Sequence, residues 1–198
     1  RGGRGFETET SVDGRSETGF PMERVLRDTR INRIVEGTTD VMHLFIAREA
    51  LDGHLRNAGG LFKKGATLLD KVKTIGKCAL IYPKWYLSNV VGSMFDKFGK
   101  FDDAIACHLD WVDGRTRRLA LTLFHQMLLR GPKLEMRQLI LARLVDIGAE
   151  LAVMALVASR LQTEKDRKDP NFSYNMTVME HFFKSRRAVV ERFFSEVW

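Results

Sequence analysis

Residues 134–161 read LEMRQLILARLVDIGAELAVMALVASRL, and at helical spacing Arg143, Asp146 and Glu150 fall on one stripe while almost everything else is apolar. A helix of this kind is buried on most of its circumference. It needs neighbours on several sides, so the stretch predicts a helical bundle. Working outward, residues 102–129 read as a long helix carrying Ile105, Leu109, Val112, Leu119, Leu123 and Met127, stopped by Gly131-Pro132. Residues 164–170 form a charged turn, and residues 177–198 a last helix with Met179, Phe182, Phe183, Val190 and Phe193 along it. On the N-terminal side, residues 62–76 and 85–98 are amphipathic and basic, and Pro83 separates them because proline disrupts a helix interior. No run alternates with period two for long enough to make a strand. The fold class expected is all-α: an antiparallel helical bundle after residue 60, preceded by an extended Gly-rich N-terminal segment.

Composition supports a packed chain. The 198 residues are 44% hydrophobic and 29% charged, and 16 Gly with 4 Pro are too few for low complexity. Cys78 and Cys107 have neither CxxC spacing nor paired histidines nearby, so neither a metal site nor a disulfide framework is expected. Apolar runs such as residues 151–158 fall short of the roughly 20 residues of a membrane span. The formal charge of +7 permits a polyanionic partner. No helix-turn-helix, RRM or finger pattern accompanies that charge, so nucleic acid is not expected.

The first 60 residues differ in character. Residues 1–20 are rich in Gly, Ser, Thr and charge, the composition of a loop. Pro21 and Glu23 open a short helix, and Thr38-Thr39-Asp40 supply capping oxygens for a second one that runs to about His54 or Arg56. Asn57-Ala58-Gly59-Gly60 is the linker candidate. It divides the chain into residues 1–57 and residues 58–198. Three features here could carry chemistry. Gly2-Gly3-Arg4-Gly5-Phe6 would let backbone amides approach a phosphate, or is simply a flexible loop. Glu36-Gly37-Thr38 sets a carboxylate beside the apolar Ile34 and Val35 at a helix mouth. Partial burial there would make Glu36 a better proton acceptor, and the alternative is an acid that only complements the helix dipole. The third is the basic helix MERVLRDTRINRI over residues 22–34.

Taken together, the Gly-Gly-x-Gly-Phe loop, the Glu23-Arg24-Val25-Leu26-Arg27-Asp28-Thr29-Arg30-Ile31 helix, the Glu36-Gly37-Thr38 turn and Leu44-Phe45-Ile46-Ala47-Arg48-Glu49 resemble the C-terminal end of the acyl-CoA dehydrogenases. The resemblance is strongest over residues 1–56. The remainder is similar to the added helical region of the very-long-chain-like and bacterial long forms, most of all at Val145-Asp146-Ile147-Gly148-Ala149-Glu150-Leu151. The resemblance implies α,β-dehydrogenation of a fatty acyl-CoA with FAD. It makes Glu36 the base that takes the α-proton, with the Glu36 backbone N–H and a flavin ribityl hydroxyl as donors to the developing enolate oxygen. It places Thr38 and Asp40 near the flavin phosphates or ribose, and Gly2, Gly3 and Gly5 in a loop reaching FAD of a neighbouring subunit. Implied partners are the fatty acyl-CoA, an electron-transferring flavoprotein and further copies of the chain. No metal is implied. The implied setting is the bacterial cytoplasm, peripheral at the inner membrane, or the mitochondrial matrix side in a eukaryote. The other domains of such an enzyme are not in this sequence, so the chain is expected to be an inactive C-terminal fragment without its own FAD.

A second class of function competes. Over residues 61–100, Lys63, Lys64, Lys71, Lys73, Lys77, Lys84, Lys97 and Lys100 meet only Asp70 and Asp96, with Phe62, Tyr82, Trp85, Tyr86, Phe95 and Phe98 among them. Aromatics with cations on an amphipathic helix suit an anionic membrane surface, and the resemblance implies membrane attachment for this region. Equally, the aromatics can be core and the lysines a solvated face. The chain would then be a noncatalytic helical module docking on a membrane surface or a protein partner. His43, His54, His108, His125 and His181 show no ligand spacing and are read as ordinary surface or core histidines. Arg143 is expected to pair with Asp146 or Glu150 at helical-neighbour spacing.

Overall fold

A computed structural model of the chain describes residues 4–31, 34–35, 38–62, 67–92 and 98–198, with the backbone alone at positions 40, 59–62 and 132. Among these residues there are seven α-helices and no strand: α1 (Glu9–Asp13), α2 (Met22–Ile31), α3 (Thr39–Phe62), α4 (Leu68–Val91), α5 (Asp103–Arg130), α6 (Gln138–Asp166) and α7 (Phe172–Val197). The chain is all-α. It forms two compact units, residues 1–45 and 46–198.

In the first unit, the stretch expected to be loop contains the one-turn helix α1. Thr8 caps it, its hydroxyl accepting from the Ser11 N–H at 3.3 Å. Ion pairs brace the turn: Arg4 reaches Glu7 at 3.0 Å and Glu17 at 2.9 Å, and Arg15 reaches Glu7 at 2.6 Å. These hold Val12 at 2% exposure. The helix opened by Pro21 is α2, and none of its residues is buried.

In the second unit, α6 is the central element. It runs antiparallel to α5, with Lys165 on Asp102 at 2.5 Å, and antiparallel to α7, with Asn175 on Glu164 at 2.9 Å and Arg143 on Glu196 at 2.5 Å. Helices α5 and α7 are therefore parallel, as the contacts of His108 with Glu180 and of Gln126 with the Val197 carbonyl require. The seam between the three holds Ile105, Ile147, Met154, Ala158, Phe183, Val190 and Phe194 at 0% exposure. Each large apolar side chain buried in this way contributes about 1.5–3 kcal/mol. A second cluster gathers Ala47 and Leu51 of α3 with Phe124, Met127, Leu134, Leu141 and Val145, and Tyr82 and Trp85 of α4 pack onto it.

Several boundaries differ from expectation; α7, for one, starts at Phe172 and not at Thr177. Helix α3 does not end near Arg56 but continues through Asn57-Ala58-Gly59-Gly60 to Phe62. Burial of Ala47, Leu51 and Ala58 along it outweighs the glycine cost of about 1 kcal/mol per residue. Residues 62–76 are not one helix, because α4 starts at Leu68 behind a Thr67–Asp70 capping box. Pro83 sits inside α4 instead of separating two helices. It leaves the Ala79 carbonyl without its helical donor, but Ala79 is exposed and Tyr82 and Trp85 anchor the helix on either side of the proline. Helix α6 begins at Gln138, not at Leu134: after Gly131 the chain makes a 3₁₀ turn, Gly131–Met136, that turns Leu134 inward at 2% exposure. Helix α6 is also less enclosed than its composition suggests, since Val153 and Leu156 are exposed. With Val178 and Phe182 of α7 they line an open groove of about 470 Å³.

Candidate functional site

The turn expected to carry chemistry leads into α3. Thr38 precedes the helix and its carbonyl accepts from the Met42 N–H at 3.0 Å, the first bond of the helical ladder. Thr38 is exposed. A helix start directs N–H groups and the positive end of the dipole outward, so the position suits a phosphate or another anion. Asp40 lies in the first turn of α3. Glu36, Gly2 and Gly3 lie outside the described residues. Ile34 and Val35, expected to shield Glu36 from water, are 63% and 53% exposed. Within the first unit they supply no buried wall.

Gly5 is half-buried in the turn that follows Arg4, where the Glu7 N–H donates to the Arg4 carbonyl at 3.2 Å. The adjoining charges are already paired. Hydrogen bonds from Arg4 hold the Glu7 and Glu17 carboxyls below the usual carboxylate range, and Arg15 adds to this at both. Among the described residues no hydrogen bond joins Gly5 to Thr38.

Two histidine centres lie outside the sites expected from sequence. His54 sits among Tyr82, Trp85 and Phe124, with ring centroids 5.8, 5.1 and 5.7 Å away, and its Nδ1 is 3.2 Å from the Tyr82 hydroxyl. Burial pushes the His54 imidazole below its ordinary value. Burial, with the Cys78 thiol adding to it, pushes the Tyr82 hydroxyl up. The other centre, His108, is buried between α5 and α7. Its position relative to Ile105 and Val112 puts it on the apolar stripe of α5, which is the signal for burial that sequence offers; its partners are on another helix.

The expected intrahelical pair forms between Arg143 and Asp146 at 3.2 Å, while Glu150 instead meets Arg186 of α7 at 3.2 Å. Arg115 and Arg118 converge on Glu191, whose carboxyl they hold low against the upward push of burial. Cys78 and Cys107 are free thiols. Among the described residues no group of three or more His, Cys, Asp or Glu could hold a metal ion, and no helix is long and apolar enough to cross a membrane.

Residues 1–51 match the family described as acyl-CoA dehydrogenase, C-terminal domain. Over 203 aligned positions covering 100% of the chain, it is 36% identical to the probable acyl-CoA dehydrogenase FadE10 of Mycobacterium bovis and of Mycobacterium tuberculosis. The chain spans 31% of the length of these relatives. No solved structure matches significantly. Residues 1–51 are thus similar to the C-terminal domain of the acyl-CoA dehydrogenases, and the whole chain is similar to about a third of a probable acyl-CoA dehydrogenase.

Proposed function

We propose that this chain belongs to an FAD-dependent enzyme that introduces a double bond between the α and β carbons of a fatty acyl-CoA. The observation that carries the reading is the family match over residues 1–51, because that stretch contains the Glu36-Gly37-Thr38 turn. Glu36 is the base: its carboxylate takes the α-proton of the thioester, and its backbone N–H donates to the enolate oxygen as charge gathers there. The chemistry that a bound flavin supplies is acceptance of the β-hydride. Exposed Thr38 at the start of α3 suits the flavin's phosphates, with Asp40 beside it, and Gly2, Gly3 and Gly5 would approach FAD of a neighbouring subunit.

In this reading the electrons leave to an electron-transferring flavoprotein, the enzyme is a homo-oligomer, and residues 58–198 are an addition to the catalytic part. A bacterial cytoplasmic enzyme, peripheral at the inner membrane, fits the mycobacterial likeness. The chain alone is expected to be inactive, since it spans 31% of its relatives. The test is turnover of a fatty acyl-CoA by the full-length enzyme. Glu36→Gln should lower kcat by at least about 100-fold, the usual loss on removing a general base, with flavin content unchanged. Turnover within a few-fold of the parent would overturn the assignment.

One observation favours a docking role alongside this. Helix α4 buries only a narrow seam, and on its opposite side Leu69, Leu80 and Leu87 are 62–81% exposed. Lys73, Lys77 and Lys84 flank this apolar stripe. A helix of this build lies in the headgroup region of an anionic bilayer, its apolar side inward and its lysines at the phosphates. Cosedimentation should show binding to phosphatidylcholine vesicles containing phosphatidylglycerol, weakened by salt and lost in a Leu69→Ser/Leu80→Ser/Leu87→Ser variant of unchanged stability. Equal binding by the variant would remove α4 from the role.

A further inference from the structure

Independently of the dehydrogenase reading, a buried imidazole joins α5 to α7. His108 is 7% exposed; its Nε2 lies 3.0 Å from a Glu180 carboxylate oxygen and its Nδ1 2.8 Å from Nη2 of Arg187. The Phe183 ring covers it, with centroids 4.3 Å apart. A guanidinium has only donors, so Nδ1 must be the acceptor of this bond. The one ring proton is then on Nε2 and is donated to Glu180. The contacts thus require a neutral imidazole in one tautomer.

The charged groups bonded to the ring, Glu180 and Arg187, both come from α7. Among the described residues α6 sends it no hydrogen bond or ion pair. From α5, the charge that joins the cluster is Arg115, which with Arg187 lies against the Trp111 ring, 5.0 and 5.1 Å from its centroid. Arg187 Nε is buried without a hydrogen-bond partner. Its guanidinium is therefore held by the His108 bond and the Trp111 ring against the cost of a desolvated donor.

We propose that His108 is an acid-operated latch between α5 and α7: when the ring takes a second proton, Nδ1 becomes a donor, and Arg187 is expelled from it and from its seat against Trp111. The proton comes from solvent. The imidazolium stays on Glu180, with which it now forms an ion pair, while two cationic donors cannot face each other at hydrogen-bond distance. Release is local, because the buried Phe183, Val190 and Phe194 and the 2.7 Å pair of Arg118 with Glu191 do not depend on that proton. Protonation of the ring thus frees a guanidinium on the α5–α7 face without unfolding the bundle.

The test uses the whole chain carrying Trp85→Phe and Trp198→Phe, which leaves Trp111 as its one tryptophan. Its fluorescence should show a single-proton transition on acidification, with helical content unchanged. His108→Gln, whose amide can accept from Arg187 and donate to Glu180 but cannot titrate, should abolish the transition. A transition that survives this substitution, or that is absent from the parent, overturns the latch. Should the variant lose helix, nitrogen spectra of the His108 ring in the otherwise natural chain decide the matter. Before acidification they should show the proton on Nε2; a proton on Nδ1 contradicts the proposal.

Discussion

Gly131 takes the chain out of α5 at a φ of 51°, a left-handed value that few residues other than glycine tolerate. Its N–H still reaches the Met127 carbonyl, and the turn that follows carries Leu134 into the second core cluster. Gly131→Ala should cost about 1–2 kcal/mol, read as a lowered urea midpoint; an unchanged midpoint would show that the backbone relaxes at no cost. This residue is legible in sequence because Gly-Pro after an apolar run is local punctuation. Glu36 is proposed on a different ground. Spacing alone leaves it either a base or a capping acid, and the family resemblance selects the base. His54 and His108 are not legible as centres, since their bonded partners lie 28 and 72 residues away and no local pattern marks them.

At the scale of elements, the predictable parts are those set by periodicity within one helix. Helices α5 and α7 follow the spacing of Ile105, Leu109 and Val112, and of Met179, Phe183 and Val190, all of which are buried. Errors arise where a contact elsewhere overrides a local breaker. Gly59-Gly60 does not end α3, because buried Ala47, Leu51 and Ala58 hold it, and Pro83 does not end α4, because Tyr82 and Trp85 bind on either side. Helix α4 has few such anchors, so its N-terminal cap carries more weight than a cap on a core helix. The Thr67 hydroxyl accepts from the Asp70 N–H at 3.2 Å, and the Asp70 carboxylate accepts from the Thr67 N–H at 3.2 Å. Thr67→Ala should destabilise α4 by about 1 kcal/mol, seen as faster amide exchange over Leu68–Val91 while α6 is unaffected. Equal acceleration in both helices would mean that α4 opens only with the whole bundle.

For the molecule as a whole, pH dependence follows from which form each group prefers when folded. Burial depresses the His54 imidazole, so the unfolded chain takes up its proton first. The stability from neutral His54 is complete above the ordinary imidazole value of about 6.5 and falls as pH drops from there toward the depressed folded value. Asp102, held low mainly by Lys165, and Glu164, held low by Arg160 and then Asn175, act at lower pH. Their contribution is present above the ordinary carboxylate range and is lost as pH falls through it. Stability plotted against pH should therefore decline in two stages, and His54→Gln should remove the upper one. An upper stage that persists in this variant would place its origin elsewhere.

The central claim is that Glu36 takes the α-proton of a fatty acyl-CoA while a bound flavin takes the β-hydride. Its most direct test is anaerobic addition of a fatty acyl-CoA to the flavin-loaded full-length enzyme, followed by the visible flavin band in a single turnover. The band should bleach in the parent and persist in Glu36→Gln, with the same flavin content in both. Bleaching of the variant at the parent's rate would contradict the assignment of the base, and no bleaching in either would contradict the dehydrogenase reading itself.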